Sequence, residues 1–216
     1  MIDILCIIPL ITRKKKDLIY YNDRPLIVWT IEQALSCNHD MKIIVITDNN
    51  DIVSICNTYE VDTLFIDRED VTNGLLLTDF DIINYGIERL KDTEGYNCDV
   101  ILHLRPTFPE RKISDINKCM DLFIKYRYKY DSLRSVVQLY KSPYKTYRLN
   151  EGNLIPLIDK VDNIEKPHDT PTQCLPKCYF HNEYIDIINE SILKSNTISG
   201  DKILPYIMNT DKTYFV

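Results

Sequence analysis

Short runs of aliphatic and β-branched residues alternate along this chain with longer stretches whose apolar side chains recur every three to four positions. The short runs predict strands buried on both faces at Asp3–Pro9, Lys42–Thr47, Asp62–Ile66, Asp99–Leu104 and Ser132–Leu139. The longer stretches predict helices at Pro25–Ser36, Asn50–Tyr59, Thr78–Leu90 and Ile113–Tyr128, the first with proline in its opening turn, where a missing N–H is harmless. Four strand-helix units in succession define an α/β fold with a doubly wound, mostly parallel sheet. After Leu139 the alternation stops. Residues 140–176 are rich in Pro, Lys, Asp and Asn and predict a protruding hairpin or arm, after which Cys178–Ile188 and Leu204–Met208 return to the sheet.

Length and composition set bounds on this picture. With 216 residues, 44% hydrophobic and 27% charged, the chain is expected to fold as one globular domain over 1–216. A net charge of −6 leaves no general basic field to track a nucleic acid. The apolar opening MIDILCIIPLI is interrupted by Asp3 and followed, not preceded, by Arg13, Lys14, Lys15 and Lys16, the reverse of a secretion signal. It is also shorter than the roughly 20 residues of a membrane span. A cytoplasmic protein without a membrane partner is expected. The seven scattered cysteines fit reduced thiols, and the Cys174/Cys178 pair lacks the second pair of a zinc site.

Ligands of open α/β sheets bind beyond the carboxyl ends of the strands. Those loops carry Arg13, Lys14, Lys15 and Lys16 after the first strand, Asp48 after the second, Asp67 and Arg68 after the third, and Arg105, Pro106 and Thr107 after the fourth. An isolated charge run is ordinarily a solvated loop, but cations from several loops on one rim suit a phosphate-bearing ligand. The chain has no Walker loop, no GxGxxG and no nucleophile elbow, so the common triphosphatases, dinucleotide enzymes and serine hydrolases lack their minimum equipment.

Six stretches in order resemble one family. IIP opens the first strand, followed by NDRPLIVWTIEQAL (Asn22–Leu35), VITDNNDI (Val45–Ile52), LRPTFPER (Leu104–Arg111), DSLRSVVQLYKSPYKTYRLNEGNLIPL (Asp131–Leu157) and LPKCYFHNEYI (Leu175–Ile185). Together they are similar to the cytidylyltransferases that make CMP-activated acidic sugars, the CMP-N-acylneuraminate synthetases and their relatives. The resemblance implies a nucleotide-diphospho-sugar transferase-like fold. It also implies attack of a sugar hydroxyl on the α-phosphate of CTP with release of pyrophosphate and with Mg2+ as cofactor. Residue by residue, it places Arg13 and Lys16 on the triphosphate as catalytic cations and Arg68 on phosphate or ribose. Asp17 falls near the base, Arg105 at a nucleotide-side glutamine position, Lys145 near the sugar or the α-phosphate, and Gln173 and Asn182 in the sugar pocket. The segment 140–176 matches a dimerisation arm, so a homodimer is expected.

The departures fall at the chemistry. The first loop is about four residues shorter than the family's and lacks the glycines that let backbone N–H groups approach phosphates. Two arginine positions of the family hold Thr172 and Phe180. Aligning the family's YxM strand on Tyr206, Ile207 and Met208 puts Phe215 where the first metal carboxylate belongs, with the second beyond Val216, so the metal ligands stay unassigned. Two readings therefore stand at this point: a nucleotidyltransferase using CTP and a sugar, and a degenerate member serving as a non-catalytic binding or structural dimer.

Overall fold

The computed structural model describes residues 2–11, 18–67 and 78–209. Its elements run β1 (Ile4–Leu10), β2 (Tyr20–Tyr21), β3 (Arg24–Pro25), α1 (Leu26–Leu35), β4 (Lys42–Thr47), α2 (Asn50–Thr58), β5 (Asp62–Phe65), α3 (Asp79–Glu94), β6 (Val100–His103), α4 (Ile113–Tyr126) and β7 (Ser132–Gln138). Then follow β8 (Tyr147–Asn150), β9 (Asn153–Pro156), β10 (Lys160–Val161), β11 (Ile164–Glu165), β12 (Tyr179–Asn189) and β13 (Ile203–Met208).

Among the described residues the main sheet has seven strands in the order β13-β7-β12-β6-β1-β4-β5. β1 pairs parallel with β4 on one side and β6 on the other, β4 pairs parallel with β5, and β12 runs antiparallel to β6. The chain thus winds outward from β1 through β4 and β5, then restarts at β6 on β1's other side. Strand order reverses between β1 and β6, the place where open α/β sheets hold ligands beyond the strands' carboxyl ends.

Both faces of β1 are covered. Leu5 and Ile7 pack with Ile44, Ile46 and Ile101 against Ile82, Ile83 and Leu90 of α3, while Ile4, Cys6 and Ile8 on the opposite face are equally buried. A Cβ on Gly86 would lie 2.7 Å from the Ile46 side chain, so glycine is what lets α3 come this close to the sheet. Thr78 and Asp81 form a capping box at the start of α3, and Gly95 in the left-handed region ends it. The helix therefore runs past the expected end at Leu90, through a polar tail with no apolar period. The segment just after α1 is tied to α4 at Asn117, whose side-chain oxygen accepts from the Asn38 amide and the Cys37 thiol.

One element has no counterpart in the expected list. β2 and β3 form a small hairpin closed by Asn22 and Asp23, both at positive φ (48° and 59°), the arrangement of a type I′ turn. Pro25 precedes the first turn of α1 rather than lying inside it.

The described residues divide into two compact units. The first comprises those up to Ser135 and Glu183–Tyr206. The second holds Val136–Asn182 and residues 207–209, and carries the hairpins β8–β9 and β10–β11 within the segment expected to form an arm. Leu149 and Leu154 face each other across β8–β9 and are both exposed. No described helix is long and apolar enough to cross a membrane.

Candidate functional site

The carboxyl end of β6 delivers a buried ionic cluster inside the first unit. Arg105, two residues past the strand, is the hub. Its guanidinium donates to the Asp186 carboxylate at 2.6 Å, pairs with Asp79 at the first position of α3, and lies 3.8 Å from Glu183. Asp186 projects from β12, opposite His103 of β6 in the antiparallel register, and is completely buried. Arg134 of β7 reaches the same Asp186 oxygen at 2.6 Å and also donates to the Ile198 carbonyl and the Ser199 hydroxyl. A lone carboxylate here would be prohibitive to bury; two guanidiniums make it tenable.

Behind the loop lies a second arginine. Arg111 is buried and donates to the carbonyls of Tyr184 and Arg105 and to the Gln33 side chain, with no carboxylate among those partners. Burial depresses its pKa to about 10, so it keeps its charge at neutral pH. By bonding the Arg105 carbonyl it closes the loop 104–111 on itself. Tyr184 supports the same corner, its hydroxyl accepting from the Lys112 amide, and burial pushes its pKa to about 12.

His103 is the third unusual group. It is fully buried, its Nδ1 lies 3.8 Å from Asp186, and neither ring nitrogen has a hydrogen-bond partner among the described residues. Burial first, then the Arg105 charge, lower its pKa to about 4, outweighing the pull of Asp186 and Asp79. The imidazole is neutral at physiological pH.

Of the residues singled out from sequence, Arg13, Lys14, Lys15, Lys16, Asp17 and Arg68 lie outside the described residues, as does Phe215. Arg105 belongs to the first unit; Lys145, Gln173 and Asn182 belong to the second. Lys145 ends a single helical turn and donates to the His168 carbonyl at 3.2 Å. Gln173 sits exposed in another such turn. Asn182 is buried, with its amide 3.2 Å from the Met208 sulfur.

Asp79, His103, Arg134, Glu183 and Asp186 are absent from the sequence-derived set. A signal for two of them was present. Arg134 and Asp186 are charges inside otherwise apolar strand runs, SLRSVV and YIDII, and charges in covered strands persist only when paired.

The described residues do not fit a protein-held divalent cation. They contain no group of three His, Cys, Asp or Glu side chains placed to hold one. Asp79, Glu183 and Asp186 do converge, but on the Arg105 guanidinium, which occupies the centre a dication needs.

This strand order, with its switch between β1 and β6 and with β12 antiparallel beside β6, is the nucleotide-diphospho-sugar transferase fold. Within it, the structural neighbours are cytidylyltransferases, in agreement with the resemblance read from the sequence. The structure of CMP:2-keto-3-deoxy-manno-octonic acid synthetase complexed with CTP matches with a TM-score of 0.64 and 12% identity, over 95% of this chain and 90% of that one. The 4-diphosphocytidyl-2C-methyl-D-erythritol synthase of Anaerococcus prevotii matches with a TM-score of 0.63 and 10% identity, over 99% and 90%. A cytidylyltransferase of Leptospira borgpetersenii matches with a TM-score of 0.58 and 12% identity, over 98% and 79%. In sequence, the post-translational flagellin modification protein B of Campylobacter coli is 26% identical over 207 residues, 94% of this chain and 83% of that protein. No family model matches the sequence.

Proposed function

We propose that this chain is a cytidylyltransferase of the CMP-sugar synthetase type, binding CTP and a sugar at the carboxyl ends of β1, β4, β5 and β6. One observation carries the reading: a fold shared with a CTP-complexed CMP-sugar synthetase, joined to the ordered sequence stretches that resemble the same kind of enzyme along nearly the whole chain. The relative named for flagellin modification supports a sugar destined for a surface protein.

In the proposed reaction a sugar hydroxyl oxygen attacks the α-phosphorus of CTP. The new O–P bond forms as the bond to the β-phosphate oxygen breaks. Pyrophosphate leaves, and the hydroxyl proton passes to solvent or a nearby base. Such chemistry depends on positioning and charge neutralisation. Arg13 and Lys16 would hold the triphosphate, Arg68 a phosphate or the ribose, and Asp17 the base edge, while Lys145, Gln173 and Asn182 shape the sugar side. Mg2+, when bound, would neutralise the triphosphate; the described residues offer it no ligand set.

That last observation favours a second reading, in which the chain binds its nucleotide or nucleotide sugar without turning it over. Incubation with each nucleoside triphosphate, Mg2+ and a panel of sugars separates the two, with pyrophosphate release and calorimetric binding read in parallel. Release with CTP establishes the transferase; binding without release establishes the non-catalytic reading; absence of both refutes each. The segment 140–176, with exposed Leu149 and Leu154, supports a homodimer, and the seven unpaired cysteines support a reducing, cytoplasmic setting. A 25.5 kDa species in light scattering would refute the dimer.

A further inference from the structure

The cluster around Arg105 is unevenly charged from inside to outside. Among the described residues its inner members are three cations, the buried Arg111 and Arg134 and the largely covered Arg105, and one anion, the buried Asp186. His103 adds nothing, being neutral. The interior therefore holds a surplus of two positive charges. Two carboxylates at the solvent edge balance it: Asp79 and Glu183, whose side chains are 35% and 41% exposed, against 14% for Arg105.

The two sides of Arg105 are held differently. Its link to Asp186 is buried, and Arg134 grips the same carboxylate from behind, so this side is an anchor. Its link to Asp79 faces solvent and is screened and replaceable. Asp79 is also free of the usual duty of an acidic residue at a helix start. Thr78 and Asp81 already form the capping box of α3, so the first turn stays capped when Asp79 lets go. The positive end of the α3 dipole lies at the same spot and favours whichever anion is there.

We propose that Arg105 is the recognition point for a dianionic phosphoryl group of the ligand, and that Asp79 and Glu183 are counter-ions holding its place until that group arrives. A single carboxylate would replace one edge charge and leave the other in competition for the guanidinium. A phosphoryl dianion matches the interior surplus of two and presents two oxygens to the planar fork. The edge carboxylates thus act as a filter, favouring phosphate over carboxylate at Arg105. The identity of the phosphoryl group as a nucleotide's rests on the proposed function; the anion site itself does not.

The test uses the full chain and three probes, pyrophosphate, inorganic phosphate and acetate, titrated by calorimetry into wild type, Asp79→Asn, Glu183→Gln and Asp79→Asn combined with Arg105→Gln. Asp79→Asn is expected to tighten pyrophosphate and phosphate about tenfold, with acetate changed less than threefold, and Glu183→Gln to do the same more weakly. The double variant is expected to lose the gain. Unchanged phosphate affinity in both single variants, a gain that survives Arg105→Gln, or equal gains for acetate would each overturn the proposal. If Asp79→Asn does not fold, Glu183→Gln decides alone. CTP titrated alongside separates the two claims: a phosphate gain without any CTP binding leaves the anion site standing and removes the nucleotide reading.

Discussion

His103 makes the stability of this protein depend on pH in a way that one substitution isolates. The perturbation is acidification from neutral pH, compared between wild type and His103→Leu. In the folded chain the imidazole is buried with both nitrogens unpartnered among the described residues, faces Asp186, Asp79, Arg105 and Arg134, and has its pKa lowered from 6.5 to about 4. An unfolded chain takes up this proton as pH falls through 6.5, whereas the folded chain refuses it until about 4, so stability is lost on acidification across that window. At about 1.4 kcal/mol per pH unit the full loss is about 3 kcal/mol, of which about 2 kcal/mol has gone by about pH 5. Leucine removes the titration and the two unpaired nitrogens, each a desolvation penalty of about 1–3 kcal/mol, so the variant should be at least as stable as wild type at neutral pH. Urea unfolding at about pH 7.5 and about pH 5 reads the difference; the carboxylates remote from His103 titrate alike in both proteins and cancel. Wild type should lose about 2 kcal/mol more than the variant. Equal losses would refute the placement of His103 in a desolvated, cation-flanked site.

Three further outcomes follow from local geometry. Thr78→Ala removes the side chain that accepts from the Asp81 amide and should lower stability by about 1 kcal/mol in urea unfolding, with amide exchange fastest in the first turn of α3. Gly200→Ala should destabilise by about 2 kcal/mol or more, because φ is +67° and a Cβ would meet that of Asp131 at 2.3 Å. Asp131 is also the carboxylate that accepts from the Asp201 and Lys202 amides, so calorimetric melting should drop in one cooperative step rather than by loss of a local turn. With a thiol reagent under native conditions, the exposed Cys174 should react fast; Cys6, Cys56 and Cys119, buried and with pKa values raised by that burial, should react only on unfolding. Rapid labelling of Cys6 would contradict the covered face of β1.

The strand-helix units are legible in the sequence because both faces of the parallel strands are buried, which forces continuous apolar runs such as KIIVIT and DVILHL. The β2–β3 hairpin is not, since two-residue strands carry no periodicity and only the Asn22-Asp23 pair hints at the turn. Helix α3 outruns its apolar pattern because nothing in its polar tail stops a helix before Gly95. The antiparallel direction of β12 is equally hidden: a buried run such as YIDII looks the same whichever way its neighbour runs.

The site shows the same division for a deeper reason. A cation just past a strand of an α/β sheet is sensibly taken to face a ligand, and Arg105 fits that pattern. What the pattern omits is that its counter-ions lie 26 residues before it and 81 after it in the chain. Only the fold brings them together. Yet the sequence does carry a trace of the arrangement, because Arg134 and Asp186 are opposite charges set in strands that have no water to solvate them. Each requires the other, and a strand charge that requires a partner fixes where a third charge, that of Arg105, must be held. Arg105 is thereby both anchored to the sheet through Asp186 and open to exchange through Asp79. A rim arginine without the first contact would be a mobile surface cation, and one without the second would be a structural staple. The combination of the two is what suits it to recognise an anion.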